Sequence, residues 1–425
     1  MDDVPWNMPA DAYGVYEPEG FCIWINEERQ GDLARKNTGV LSHEFTHYVH
    51  SLSTFHSVDD LLTLLGGVHA GMQQLEDLLV PISLPLTKWS SQASCPPSVQ
   101  TYVHHVARRK RSIQTSLGRD LDLTPPEHLL TGALYQRGAR SFIKTSETSG
   151  APVARLTLME GAALAKKCQA LGNDSDLKAK KSHPQFSHYF AAHDACARAH
   201  PRIDPLAASL LLCDLSLCTP RPSTVFEYGI MILHSLPPSA TIDEFEARLS
   251  LLYDRECRGP MAVQLGKLEQ ARTALPADHR STDLSWAGMV LRNAAAAVRL
   301  RQASPFSLIK PVYLGQDLFD LAQIIGSPVI LTNDMRLTSL SPATENQAHA
   351  RNVVRTLSYL CRWMLEENEP LRCPYAGCPG CPEERRGPHC RTNAALALRV
   401  SDDKPWCALL FSAHQLRVAD ILRRT

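Results

Sequence analysis

The spacing of apolar residues over positions 38–53 predicts an amphipathic helix. Apolar side chains recur there at steps of three and four, which places them on one helical face; they are Val40, Leu41, Phe45, Tyr48, Val49 and Leu52. Asn37 and Thr38 stand ahead of this face and suit the capping of a first turn. Just before them, residues 20–26 form an apolar, partly β-branched run that predicts a strand.

The same periodicity indicates the fold class. The pattern is mainly helical from residue 38 to about residue 254. We therefore predict a mainly helical α+β protein with a small mixed or antiparallel sheet that includes residues 22–26. The remaining predicted elements are helices over 286–301 and 348–368 and strands over 306–314 and 328–331.

Length and local polarity suggest how the chain is divided. At 425 residues and 44% apolar content, the chain can bury a large core and form about two or three domains. A polar break near residue 277 marks a boundary. We predict a first domain over residues 1–276, with a helical insertion at about 58–150, and a C-terminal accessory lobe over residues 277–425.

The predicted helix carries the string His-Glu-Phe-Thr-His at residues 43–47. Two histidines four residues apart lie on one face of a helix, where both imidazoles can bind one Zn²⁺ beside Glu44. Strings of this kind also arise on ordinary solvated faces, but here the flanking residues are apolar on both sides. The pattern therefore favours a zinc site with His43 and His47 as ligands.

A catalytic zinc ion needs a third protein ligand. A third histidine at the spacing of the extended motif is ruled out, because Ser53 stands at that position. A carboxylate from a later helix is the remaining common solution, and Glu76, Glu147 and Glu160 are candidates. We favour Glu160, because the small residues Gly-Ala-Ala that follow it allow two helices to approach closely.

These residues resemble the gluzincin branch of the zinc metallopeptidases. His43 and His47 match the metal-binding histidines of that family. Glu44 matches its general base, and Glu160 matches its downstream glutamate ligand. The resemblance covers about the first two hundred residues and lacks the Asn-Glu-x-x-Ser-Asp form of the thermolysin-like group. It implies a zincin-like body whose edge strand, at residues 20–26, holds an extended peptide, although any buried strand fits that run equally.

The resemblance implies zinc-dependent hydrolysis of peptide bonds by an intracellular endopeptidase with a narrow range of protein substrates. Glu44 would take up the proton of the attacking water and pass it to the leaving amine. A His or Tyr downstream of the third ligand would stabilise the oxyanion, and Tyr189 and His188 are our candidates, with His183 and His193 also open. We interpret His50 as a core or supporting residue and not as a ligand.

A second class of function fits the same residues. The chain could be a zincin-derived binding or scaffolding protein, in which the metal is structural and the C-terminal lobe docks a protein partner. A structural metal site needs no general base, so the presence of Glu44 favours the enzyme.

Charge and cysteine content restrict partners and compartment. Lys plus Arg and Asp plus Glu both total 44, so the overall charge favours neither nucleic acid nor an anionic membrane as a partner. The basic run at residues 108–111 is interpreted as a solvated helical face. The start of the sequence does not resemble a signal peptide, and no run of about 18 apolar residues occurs. With thirteen cysteines, most of them single, we expect a reduced, cytoplasmic protein.

A second metal site is predicted near the C-terminus. Residues 373–390 are rich in Pro and Gly and have little apolar content with which to form a core. Four thiolates around a structural Zn²⁺ would order this loop. An iron–sulfur cluster, free thiols and disulfides are the alternatives, and His389 could replace the last cysteine. The predicted ligands are Cys373, Cys378, Cys381 and Cys390.

Overall fold

A computed structural model gives a mainly helical fold with two small sheets. This confirms the predicted mainly helical α+β class. The description covers residues 14–17, 21–25, 38–65, 78, 82–104, 127–129, 134–137, 140–143, 151–181, 186–275, 286–310, 316–332, 337, 338, 340 and 364.

The helices account for most of the described chain, and a further helical stretch covers 97–104. They are α1 (Thr38–Ser53), α2 (Phe55–Leu65), α3 (Leu86–Trp89), α4 (Arg155–Leu171), α5 (Ser175–Lys181), α6 (Ser187–Ala199), α7 (Pro205–Ser216), α8 (Pro222–Ser235), α9 (Ile242–Glu256), α10 (Arg258–Ala274), α11 (Trp286–Ala303) and α12 (Gln316–Ile325). The strands are β1 (Gly14–Glu17), β2 (Cys22–Ile25), β3 (Glu127–Leu129), β4 (Leu134–Arg137), β5 (Arg140–Ile143), β6 (Ala151–Pro152), β7 (Val329–Thr332) and β8 (Leu337–Thr338).

Local sequence signals explain several helix ends. Helix α9 begins with a capping box, in which the Thr241 side chain accepts from the Glu244 backbone N–H and the Glu244 carboxylate accepts from the Thr241 N–H. Helix α7 begins with Pro205 after Asp204, whose carboxylate accepts two backbone N–H bonds. Helix α4 ends at Gly172, whose φ of 63° suits a residue without Cβ.

The first sheet is mixed and has the order β1-β2-β7-β8. Strand β2 pairs antiparallel with β1 and parallel with β7, so it lies inside the sheet. The prediction of a strand at residues 20–26 is confirmed, but its position at the edge is wrong. Strand β2 is internal because β7 takes its other side, with Val329 paired to Cys22 from 307 residues earlier in the chain, and β1 occupies the edge of the described sheet.

The second sheet is antiparallel and has the order β3-β4-β5-β6. Strands β3 to β5 lie within the insertion at about 58–150 and β6 follows it directly, so the prediction of a helical insertion is wrong for residues 127–143. Arg137 and Arg140 pair across a connection of two residues, Gly-Ala, which is typical of a tight hairpin. The Gly-Ala dipeptide is the sequence signal that indicates this hairpin.

Helix α1 lies at the centre of the core. It packs against α4, α11, α2 and the first sheet. Its predicted apolar face is buried at Leu41, Phe45, Tyr48, Val49 and Leu52, which supports the helical assignment made from spacing. None of the described helices combines the length and the apolar character that crossing a lipid bilayer requires.

Residues after the predicted boundary at 277 contribute to this same core. Helix α11 packs on α1, strand β7 pairs with β2, and the hydroxyl of Tyr48 donates to the Ile325 carbonyl at 3.2 Å. The division into residues 1–276 and 277–425 stays a prediction. Residues 306–310 form turns after α11 and not the predicted strand. Their apolar side chains are buried, so this apolar run reflects burial in the core and not a strand.

Candidate metal centre and cleft

Helix α1 presents His43 and His47 on one face, as the four-residue spacing requires, and Glu44 lines the same cleft. The apolar stripe of α1 is buried in the core, which fixes the direction that the histidine-bearing face takes. The imidazole Nε2 atoms of His43 and His47 lie 3.3 Å apart. The spacing within α1 thus fixes the relative positions of two of the three possible metal ligands.

Helix α4 supplies the third group. The Glu160 Oε2 atom lies 3.3 Å from Nε2 of His43 and 3.5 Å from Nε2 of His47. Of the three carboxylates considered from sequence, Glu160 is the one that the structure brings to the histidines; Glu76 and Glu147 lie outside the described residues.

The small residues after Glu160 are buried, as expected for close helix packing. A Cβ atom on Gly161 would lie 3.2 Å from the Ala192 Cβ and 3.4 Å from the Cys213 Sγ, so α4 approaches α6 and α7 as closely as Gly allows. This contact sets the position of α4, and with it the position of the Glu160 carboxylate.

We expect Gly161→Leu to destabilise the protein by about 1–3 kcal/mol, because the added side chain must displace α6 or α7. Gly266→Leu in α10 is the matched control: Gly266 is exposed, and its Cβ would meet nothing within 4 Å. The control should be neutral or more stable by up to about 1 kcal/mol, since Leu is the better helix former. Urea unfolding midpoints measure both changes, and equal midpoints would contradict this account of α4 packing.

The three donor atoms fit a zinc ion. Tetrahedral zinc with bonds of about 2.0–2.2 Å places neighbouring donors about 3.3–3.6 Å apart. The observed separations of 3.3, 3.3 and 3.5 Å match one face of such a tetrahedron. Two imidazoles and one carboxylate are also a donor set typical of catalytic zinc, in which the fourth position stays open.

The Glu160 carboxylate and the His47 imidazole shift each other's pKa. Burial alone would raise the pKa of Glu160, but the charges and hydrogen bonds of His47 and His43 hold it well below its usual value. Burial alone would lower the pKa of His47, and the Glu160 carboxylate raises it above its ordinary value of 6.5. A metal ligand must be the neutral imidazole, so a metal cation would compete with the proton that this pKa shift favours on His47.

Tyr189 on α6 lies against this centre. Its ring stacks on His43 with centroids 6.2 Å apart and an interplanar angle of 29°, and its side chain hydrogen-bonds Glu160. Burial, followed by the charges of Glu160 and Glu44, raises the pKa of Tyr189, so its hydroxyl stays protonated at neutral pH. The Nδ1 atom of His43 has no hydrogen-bond acceptor among the described residues, and the stacked Tyr189 ring is the contact that orients this imidazole.

The other candidate histidines lie elsewhere. The His188 ring contacts that of Tyr189, with centroids 4.4 Å apart, but His188 is not among the described residues that line the cleft. His193 contacts Asp194 and Lys181 through its Nδ1 atom, and His183 lies outside the described residues. The predicted metal ligands Cys373, Cys378, Cys381 and Cys390 also lie outside the described residues, so the second site stays a prediction.

Glu44 is almost fully buried, with 6% of its surface exposed, and its carboxylate faces the cleft. Strand β1 packs closely against the aliphatic part of the Glu44 side chain, because a Cβ on Gly14 would lie 3.2 Å from the Glu44 Cγ. The edge strand therefore restricts the side chain that stands beside the histidines.

The centre opens into a cleft with a volume of about 300 Å³. Strand β1 forms one wall, and helices α2 and α4 form another. The described residues that line it are Gly14, Val15, Tyr16, Phe21, His43, Glu44, His47, Ser51, Ser57, Asp60, Leu61, Leu64, Arg155, Leu156, Met159, Glu160 and Tyr189. Asp60 and Arg155 were not predicted from the sequence, where nothing distinguishes them from other charged residues on helices.

A buried network supports α1 one turn beyond His47. The Nε2 atom of His50 lies 3.2 Å from the Asp214 Oδ1, and the Arg301 guanidinium donates to both Asp214 oxygens at 2.6 and 2.7 Å. Arg301 also donates to the Ser53 hydroxyl at 2.8 Å. His50 is thus a core residue, as interpreted from sequence. Asp214 was missed, although a single acid in the apolar run Leu-Leu-Leu-Cys-Asp-Leu-Ser-Leu signals a buried partner.

Comparisons of the chain with protein-family models, with curated proteins and with solved structures gave no match. The function is therefore argued from the geometry of the centre and its cleft.

Proposed function

We propose that this protein is a zinc-dependent peptidase with a zincin-like body. The observation that carries the proposal is the triangle of His43, His47 and Glu160 donors, which opens into a cleft beside Glu44. A zinc ion held by these three residues would supply a Lewis acid and an activated water. The described residues around the centre supply the rest of a hydrolytic site.

Glu44 is placed to act as the general base. Its carboxylate lines the cleft and belongs to the same helix turn as the two histidines, while Gly14 restricts its movement. It would accept a proton from the attacking water and return it to the leaving amine, as a carboxylate can do at neutral pH.

Tyr189 is placed to donate to the carbonyl oxygen as negative charge develops on it. The raised pKa of Tyr189 keeps its hydroxyl protonated, and its one O–H would turn from the Glu160 carboxylate to the oxyanion beside His43. Tyr189 is therefore the stronger of the two oxyanion candidates, since His188 does not line the described cleft.

Strand β1 is placed to bind the substrate backbone. Gly14, Val15 and Tyr16 line the cleft at the edge of the described sheet, where an extended peptide could add a strand through main-chain hydrogen bonds. The substrate would then be a protein or a peptide in extended form. A reducing compartment such as the cytoplasm suits the seven described cysteines, which are buried and form no disulfide among the described residues.

We expect Glu160→Ala to lose zinc, because two imidazoles alone leave the ion with an incomplete set of ligands. Elemental analysis and competition with a chelator measure the loss. Glu246→Ala is the matched control, since Glu246 is a helical glutamate paired with Lys310 and is not among the described residues that line the cleft. Zinc retention by Glu160→Ala equal to that of the control would refute the assignment.

Elemental analysis joined to cleavage of a peptide library separates the peptidase from the scaffolding alternative. Zinc binding with cleavage supports the peptidase. Zinc binding without cleavage of any peptide, together with capture of a partner by the C-terminal lobe, would support a binding protein whose metal is structural.

A further inference from the structure

The cleft wall formed by α2 and α4 carries an Arg that the hydrolytic chemistry does not use. Among the described residues that line the cleft, Arg155 is the only Lys or Arg. It lies five residues before Glu160 on the same helix, which corresponds to about 7.5 Å along the axis. An extended peptide spans this distance with about two or three residues. Arg155 thus lies within reach of substrate residues next to the scissile bond.

The Arg155 side chain is held in one orientation. One guanidinium nitrogen donates to the Asp60 carboxylate at 2.5 Å, and the other donates to the Ser57 hydroxyl at 2.6 Å. Ser57 is itself fixed, because its hydroxyl lies 2.8 Å from the Thr54 hydroxyl, which in turn donates to the His50 carbonyl at 2.9 Å. A guanidinium has five N–H donors, and these two contacts use two of them. The group is therefore preorganised and still has donors for a ligand.

The surroundings favour a negatively charged ligand. Arg155 and Asp60 are 13% and 18% exposed, so their interaction lies at the cleft surface and not in bulk water. Leu61, Leu64 and Met159 line the same part of the cleft and lower the local polarity, which strengthens a charge-assisted hydrogen bond. The N-terminus of α4, where Arg155 is the first residue, adds positive potential that also favours a negatively charged ligand. Its N-cap residue, Ala154, has no side chain that could accept hydrogen bonds from the first backbone N–H groups.

We propose that Arg155 binds an acidic side chain, Asp or Glu, of the peptide substrate within about three residues of the scissile bond. Asp60 limits the strength of this recognition, because it competes with the substrate carboxylate for the same guanidinium. This inference rests on the proposed peptidase function and names the substrate class of that cleft.

Because Asp60 and the substrate carboxylate compete for Arg155, substitutions of Arg155 and of Asp60 should change the preference for acidic peptides in opposite directions. Arg155→Gln removes the recognising charge and abolishes the preference for acidic peptides. Asp60→Asn removes the competitor and increases that preference, while Ser57 still holds the guanidinium. Arg155→Gln with Asp60→Asn removes both charges together, which avoids leaving Asp60 unpaired if the single variant folds poorly. Lys267→Met is the control, because Lys267 pairs with the neighbouring Asp59 of α2 and is not among the cleft-lining residues.

The experiment uses the full-length zinc-loaded protein and peptides that differ only in Glu or Gln at one position near the scissile bond. Each position up to three residues away on both sides is tested. The wild type should cleave the Glu peptide with a kcat/KM about 10-fold or more above the Gln peptide at one position. The difference should lie mainly in KM, since the contact is made equally in the ground and transition states. Arg155→Gln and the double variant should bring the ratio close to one, and Lys267→Met should leave it unchanged.

Binding of the same peptides to the Glu44→Gln variant, followed by fluorescence anisotropy, is an independent readout. Equal affinity for Glu and Gln peptides at every position would overturn the inference, as would a Glu preference that survives Arg155→Gln. Binding that prefers Glu and depends on Arg155, with no cleavage by the wild type, would keep the recognition and reject the peptidase. Absence of both binding and cleavage would overturn both proposals.

Discussion

Glu44→Gln should lower kcat by about 100- to 10,000-fold while the protein keeps its zinc. Gln has the shape of Glu and can donate and accept hydrogen bonds, but it cannot take up a proton. The effect is large because Glu44 lines the cleft directly beside His43 and His47, the proposed metal ligands. The measurement is the turnover of a fluorogenic peptide chosen from the library, with zinc content determined on the same samples.

Two controls make this result specific to Glu44. Glu246→Gln removes a carboxylate that pairs with Lys310 at the surface, and it should change neither turnover nor zinc content. The thermal unfolding temperature of Glu44→Gln should equal that of the wild type within about 2 °C, since the side chain keeps its volume. Full activity of Glu44→Gln would show that another group is the base, and lost zinc would show that Glu44 supports the metal.

The centre could be predicted from sequence to the extent that it is local. His43, Glu44 and His47 belong to one helix, and the period of the apolar residues of that helix is visible over 16 residues. The choice of Glu160 needed one further step, the small residues that follow it. Both steps use interactions between residues close in sequence, for which helical geometry fixes the direction of the side chains.

The parts that could not be predicted depend on contacts between distant residues. The family resemblance implies that β2 is an edge strand, but β7 pairs with it, and Cys22 and Val329 are 307 positions apart in the sequence. Arg155 and Asp60 are 95 residues apart, and neither has a neighbour in sequence that marks it as part of the cleft. A charged residue on a helix looks the same in the sequence whether it faces solvent or another helix.

The pair of Asp214 and Arg301 is another contact between distant residues that the sequence does not predict. Its loss has the largest expected effect on the free energy of unfolding. Both side chains are fully buried, with 0% exposed surface, and two hydrogen bonds of 2.6 and 2.7 Å join them. Arg301 belongs to the segment predicted as a separate lobe, yet it donates to Ser53 at the end of α1. Helix α1, which carries the proposed metal ligands His43 and His47, is therefore held to α11 by a buried ion pair.

Acid should weaken this network. Burial alone would raise the pKa of Asp214, but the Arg301 charge and the His50 hydrogen bond lower it from 3.8 to about 2. A carboxyl group whose pKa is lowered by folding stabilises the protein above its unfolded pKa, and this stabilisation is lost as the pH falls through about 2. Burial also lowers the pKa of His50 below 6.5, so the neutral form is favoured and stability begins to fall below that pH.

Asp214→Ala should destabilise the protein by about 3–5 kcal/mol, because it leaves the Arg301 guanidinium buried without its counter-charge. The double variant Asp214→Leu with Arg301→Met should recover most of this loss, since apolar side chains of similar size replace both charges at once. Urea unfolding of the wild type, of Asp214→Leu, of Arg301→Met and of their double variant gives the coupling energy of the pair. If the single losses simply add in the double variant, the two residues are not coupled, and α11 is held to α1 by apolar packing alone.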